Sequence, residues 1–243
     1  MMRSYLGVIL WVSLFTASSL ADVVIEKRIS AGNDDVEERS NGSMYRDSSD
    51  IELVTDGSRV QTIGLRFQDV SIPQGATITN AYVQFTVDET NTGSTALTIR
   101  AEYSDNASAF TSNNYNVTNR PITSASVNWQ PAPWNSVGAA GTDQRTPDIS
   151  TVIQEVINRN GWQSGNELAL VINGSGERTA ESYNGSSSKA PLLHIEYADD
   201  SSGGGSQSVS LEKRISSTLD DVEEQSDGSV YTDSSDIELV NDG

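Results

Sequence analysis

The sequence predicts an all-β fold: an antiparallel β-sandwich of jelly-roll type with one short helix late in the chain, at about 147–160. Three observations lead there. Apolar residues alternate with polar ones in several short runs, as expected of strands with one face on a core. Turn signals such as Asn41-Gly42, Asp56-Gly57 and Pro73-Gln74-Gly75 separate those runs. A single stretch, Ile149, Val152, Ile153, Val156 and Ile157, carries helical spacing instead.

In chain order, Val23 to Ile29 reads as a first strand, and Ile51 to Val54 as a short one closed by Asp56-Gly57. Gln61 to Phe67 follows, with Ile63, Leu65 and Phe67 on one face. Thr77 to Val87 is the clearest strand: Ala81, Val83, Phe85 and Val87 face one way, Tyr82, Gln84 and Thr86 the other. Thr95 to Tyr103 repeats the pattern with Leu97, Ile99, Ala101 and Tyr103 inward. Residues 104–125, rich in Asn, Ser and Thr, read as a long surface excursion, and Pro131 and Pro133 stiffen a loop holding Trp129 and Trp134. The helix is expected to start with Thr146 as N-cap, Pro147 in the first helical position and Asp148 in the first turn, and to stop at Asn160-Gly161. Glu167 to Ile172 and Pro191 to Tyr197 supply two further strands.

Domain organisation follows from a repeat. EKRIS, DDVEE and SSDIELV run in order from Glu26 to Val54 and return from Glu212 to Val240, at a constant offset of 186 residues. The sequence therefore predicts a β-sandwich domain over 22–198, a Ser/Gly linker over 199–208, and the start of a second copy over 209–243, poorly ordered or borrowing a sheet edge because it is too short to bury a core alone. Residues 1–21 read as a signal peptide: a positive start, an apolar run from Leu6 to Phe15 too short to span a bilayer comfortably, and Ser19-Leu20-Ala21 before the cut. The expected compartment is secreted, extracellular or cell-surface, with no membrane insertion.

Charge narrows the partners. The formal net charge of −19, from 34 acids against 15 Lys and Arg, repels phosphate backbones and anionic membranes, so nucleic acid is not an expected partner. With no cysteine, thiolate metal sites and disulfides are absent from the chain. The acidic opening comprises Asp34, Asp35, Glu37, Glu38, Asp47, Asp50, Glu52 and Asp56. Oxygen ligands of this kind suit a structural calcium ion, for which Asp35, Glu37, Asp50 and Glu52 are the candidate ligands. Their spacing is not that of an EF-hand loop, and a solvated acidic face accounts for the same acids.

For a ligand surface, Trp134 is the best candidate for an exposed indole, on which a sugar ring stacks through its C–H face; Trp129 and Trp162 read as core. The loop from Gly174 to Tyr183 adds Arg178, Glu181 and Tyr183, with Arg178 suited to a carboxylate of a sugar or of a neighbouring acid. His194, the only histidine, lies in a strand beside Glu196, and Gly174-Ser175-Gly176 lacks the spacing of a nucleophile elbow. No catalytic constellation emerges, so the expectation is a non-enzyme.

Gly64-Leu65-Arg66-Phe67, then Ile72-Pro73-Gln74-Gly75-Ala76, Ile78-Thr79-Asn80-Ala81-Tyr82, Ser126-Val127-Asn128-Trp129, the Ile149 to Trp162 helix and Ala190-Pro191-Leu192-Leu193-His194-Ile195-Glu196-Tyr197 come in an order that resembles DNRLRE-type secreted β-sandwich domains, a group similar to carbohydrate-binding module family 96. The match covers most of 23–198, while DDVEE to SSDIEL corresponds to no ligand site of the family. The resemblance implies a non-catalytic module that binds polysaccharide or a cell-surface glycan as an accessory to an extracellular enzyme or adhesin. The alternative expectation, from the tandem copy and linker, is a structural repeat of a cell-surface or filament-like protein, with possible self-association.

Overall fold

A computed structural model describes residues 22–198, and the backbone of 223–224 and 230–231. The chain divides into two units, Met1–Ser201 and Ser202–Gly243. The expected signal peptide, the expected linker and most of the second copy lie outside the described residues.

Every described strand pair in the first unit is antiparallel. Its strands are β1 (Asp22–Arg28), β2 (Asp35–Arg39), β3 (Met44–Tyr45), β4 (Asp50–Glu52), β5 (Thr55–Asp56), β6 (Arg59–Val70), β7 (Thr77–Gln84), β8 (Val87–Glu89), β9 (Ala96–Ala101), β10 (Val127–Trp129), β11 (Asn166–Ser175), β12 (Thr179–Glu181) and β13 (Leu192–Ala198). One large sheet runs β10-β9-β11-β6-β2-β3, with β5 also on β6. Two three-stranded sheets, β1-β13-β7 and β4-β12-β8, complete the sandwich. The main core joins all three: Ile63, Leu65 and Phe67 of β6, Leu168, Leu170 and Ile172 of β11, Ala81 and Val83 of β7, Leu193 and Ile195 of β13, and Ile51, Ala180 and Val87 of the smallest sheet. The all-β sandwich class expected from alternation is the observed one.

The long strand expected over Thr77–Val87 is two strands. β7 ends at Gln84, Phe85 donates its N–H to Gln144 O at 3.0 Å, and β8 continues in a different sheet. The inward set Ala81, Val83, Phe85 and Val87 is nonetheless fully buried, because the chain turns the corner without losing its alternation. Tyr103 departs from the expectation. β9 stops at Ala101, and Tyr103 lies 42% exposed beneath the Arg159 guanidinium.

The helix α1 spans Ser150–Ile157, three residues later than expected. Thr146 and Asp148 run along β7 instead: Val83 N–H donates to Thr146 Oγ1 at 3.0 Å and Ala81 N–H to Asp148 Oδ1 at 3.1 Å. Asp148 still holds the helix entrance by accepting the Ser150 N–H at 2.8 Å. The stripe Ile149, Val152, Ile153, Val156 and Ile157 is buried against the sheet, so the periodicity that predicts the helix also predicts its inner face.

The excursion over 104–125 is not merely surface. Ala107, Phe110 and Val117 pack with Val36, Ala169 and Val171 into a second apolar cluster on the far face of the large sheet. β11 is consequently buried on both faces, which explains its unbroken apolar run.

In the second unit, β14 (Glu223–Glu224) pairs with β15 (Val230–Tyr231) in the register Glu223↔Tyr231 and Glu224↔Val230. The equivalent residues of the first copy pair as Glu37↔Tyr45 and Glu38↔Met44. The repeated sequence therefore forms the same hairpin in the same register. Among the described residues, no helix is long and apolar enough to cross a membrane.

Candidate functional site

Trp134 is fully buried. Its indole N–H donates to Asp143 O at 3.3 Å, its ring packs against Phe85, and its backbone exchanges hydrogen bonds with Asn91. Pro131 and Pro133 hold the loop in toward the core rather than out, so the expected exposed indole is absent. Trp129 and Trp162 are buried as expected.

Arg178 is also buried, at 1% exposure. Its guanidinium donates to Ala132 O at 3.0 Å, Pro131 O at 3.0 Å, Thr95 Oγ1 at 2.8 Å and Glu177 O at 2.6 Å. Burial pulls its pKa down, with Glu177 opposing. Carbonyls and one hydroxyl, rather than a carboxylate, absorb its donors, so Arg178, in the turn between β11 and β12, clamps the proline loop to Thr95 just before β9. Above this clamp lies a cleft of about 380 Å³, with Thr92, Ser94, Gln130 and Pro131 in its walls. Trp134 and Arg178 thus belong to one loop cluster. Glu181 and Tyr183 belong to another: Glu181 pairs with Lys189 Nζ at 2.9 Å, and the Tyr183 N–H donates to Asp35 Oδ2 at 2.6 Å.

The acids of the DDVEE string are buried acceptors with structural partners. Asp34 accepts Arg66 Nη1 at 2.8 Å and Gln68 Nε2 at 2.6 Å. Glu38 accepts the Val117 N–H at 2.6 Å, the Thr118 N–H at 3.1 Å and the Thr118 hydroxyl, anchoring the excursion. Burial raises the Asp35 carboxyl to about 6. Glu37 accepts the Glu52 N–H at 2.9 Å and Gln61 Nε2 at 2.8 Å, and burial together with the neighbouring Glu52 carboxyl pushes it up to about 9. This string is neither a solvated face nor a shell of free ligands, because sandwich packing closes over it.

Of the four candidate calcium ligands, Asp35 and Glu37 are engaged in these bonds, and Glu52 bonds Glu37 and Gln61. Asp50 joins a different group: one carboxylate oxygen each from Asp50, Asp88 and Glu89 lie within 4.8 Å of one another. Asp88 and Glu89 are consecutive acids at the end of the long alternating run, and sequence reasoning missed them. Their pairing with an acid nearly 40 residues earlier has no local signal.

On the outer face of the β1-β13-β7 sheet, Glu26, His194 and Tyr82 stand side by side in register. His194 Nδ1 lies 3.1 Å from Glu26 Oε1 and Nε2 3.0 Å from Glu196 Oε1, while the ring stacks on Tyr82 at 4.5 Å. Both ring nitrogens are engaged, so the imidazole is a cross-strand tie between β1 and β13.

No known family model and no curated protein matches the chain.

Proposed function

We propose that residues 22–198 form a non-catalytic, exported binding module for polysaccharide or a cell-surface glycan, working as an accessory to an extracellular enzyme or adhesin. The observation that carries this reading is the cleft over Arg178. Its walls offer hydroxyl and amide groups from Thr92, Ser94 and Gln130, which match sugar hydroxyls, and a proline ring for the apolar sugar face. The Arg178 clamp holds the wall residue Pro131 and its neighbour Ala132 in place, which reduces the ordering cost of binding. The ordered motifs from Gly64 to Tyr197 support the same reading through their resemblance to carbohydrate-binding sandwiches. The engagement of both His194 nitrogens supports the non-catalytic part. Affinity electrophoresis of the full chain across neutral and acidic polysaccharides tests the proposal. Retardation by at least one polysaccharide, lost on Gln130→Ala with Thr92→Ala, is expected. Equal mobility with every polysaccharide sinks it.

A second reading, a structural repeat of a surface or filament-like protein, is favoured by one observation. The hairpin of Glu223–Glu224 with Val230–Tyr231 keeps the register of its first-copy counterpart. Sedimentation velocity at rising concentration tests it; a strictly monomeric chain at high concentration removes the self-associating form.

A further inference from the structure

We propose that the outer face of the β4-β12-β8 sheet binds a calcium ion, held by the carboxylates of Asp50, Asp88 and Glu89 together with the Thr179 hydroxyl.

The sheet register sets the site. β12 lies between β4 and β8, so the flanking strands stand about 10 Å apart. The oxygens of Asp50 on β4 and of Asp88 and Glu89 on β8 nevertheless lie within 4.8 Å of one another. These side chains must therefore lean over β12 from both sides. Thr179 is paired with both Glu52 and Glu89, and Glu181 with Asp50. Residues paired across strands share a face. Ile51, Ala180 and Val87 point into the core, so Thr179 and Glu181 form the floor beneath the carboxylates.

A bulge delivers the second strand's acids. Ala180 pairs with Val87 and Thr179 with Glu89, which leaves Asp88 as the extra residue. A bulge turns two consecutive side chains toward one face, and here both are acids.

The Thr179 hydroxyl independently indicates a ligand. Thr179 is 1% exposed, and its Oγ1 is buried without a hydrogen-bond partner. A buried hydroxyl in that state is unfavourable unless something binds its oxygen. No ion pair compensates the acids: among the described residues, none within 4.0 Å reaches Asp50, Asp88 or Glu89, the nearby Lys189 ammonium is paired with Glu181, and Asp50 Oδ1 accepts the neutral Ser48 hydroxyl at 2.9 Å. All donors are oxygens, which suits a hard cation. Bidentate carboxylates and water complete the six to eight ligands that calcium takes, whereas magnesium demands a tighter octahedron.

The test uses the full chain stripped with chelator, followed by calcium titration in a calorimeter and by thermal melting. One calcium per chain is expected: Asp236 is the repeat counterpart of Asp50, and this chain holds no counterparts of Asp88, Glu89 or Thr179. At a concentration about 100 times the dissociation constant, calcium is expected to raise the melting temperature by roughly 5–10 °C. Asp88→Asn is expected to weaken calcium binding by about tenfold or more. Thr179→Val separates ligation from folding. In chelator it should melt at or above the parent temperature, because it removes an unpartnered hydroxyl, yet its calcium response should weaken. Absence of both heat and melting shift overturns the proposal. So does a full calcium response in both variants, or an equal response to magnesium, which would mark a diffuse acidic surface.

Discussion

The Glu37 carboxyl sits against the edge of β4 and accepts the Glu52 backbone N–H at 2.9 Å, while the two acid side chains bond each other. A buried acid in contact with a half-buried one is stable when the two share a proton. Glu37 therefore binds its proton far more tightly in the folded chain, about 9, than in the unfolded chain, where 4.5 applies.

The sign of the pH dependence follows. A carboxyl raised on folding contributes stability that is fully present below its unfolded pKa and is lost as pH rises through its folded pKa. Asp35, raised to about 6, acts in the same direction over a lower range. In chelator, the melting temperature should fall progressively from pH 5 to pH 9. Glu37→Gln keeps the shape, the acceptor oxygen and a donor to Glu52, and should flatten that slope and raise stability at pH 8. An unchanged slope in this variant would place the proton elsewhere.

Asp34 and Arg66 form a buried pair at 2.8 Å, and Asp34 also receives Gln68. Removing Asp34 leaves the buried Arg66 guanidinium with only the partly exposed Glu167 carboxylate, at 3.3 Å, as an ionic partner, and strips Gln68 of its acceptor. Asp34→Ala should cost about 3–5 kcal/mol in urea denaturation. Lys27–Asp69, a pair at 2.8 Å with an exposed acid, is the contrast: Asp69→Asn should leave the denaturation midpoint almost unmoved.

Trp134 lies at the junction of the proline loop and the core, in contact with Phe85. Trp134→Ala should destabilise by about 3–5 kcal/mol, as large buried aromatics do. Tryptophan fluorescence on titration with a bound polysaccharide should show no quenching attributable to Trp134, measured as the difference between the parent and Trp134→Phe. A quench that disappears in Trp134→Phe would return the indole to the ligand surface.

Gly64 is where the large sheet meets the second apolar cluster. A methyl group there would stand 2.6 Å from the Phe110 ring and 3.0 Å from a Val36 methyl. Gly64→Ala should therefore cost about 1–3 kcal/mol through overpacking. Gly64→Ala combined with Phe110→Leu should recover part of that loss, which a double-mutant cycle measures.

Much of the fold is legible locally. Alternation in Ala81, Val83, Phe85 and Val87 identifies the buried face even though the strand changes sheets, since alternation records which side is dry and not which strand lies alongside. The helix stripe is equally legible, but its start is not. Thr146 and Asp148 carry capping chemistry, yet the edge of β7 competes for the same side-chain oxygens and holds the segment extended. The apolar members of the 104–125 excursion, Phe110 and Val117, are too widely spaced to announce a second core.

By itself the sequence determined the β class, the buried helix face, the repeat that forms its hairpin twice in one register, and the abundance of acid. Tertiary structure alone decided what each acid does. DDVEE is buried under bonds from Arg66, Gln61, Val117 and Tyr183, whereas Asp50 meets Asp88 and Glu89 across β12. The reason is physical: a carboxylate's protonation and partners depend on which groups exclude water around it. In an antiparallel sandwich those groups arrive from strands far apart in the chain.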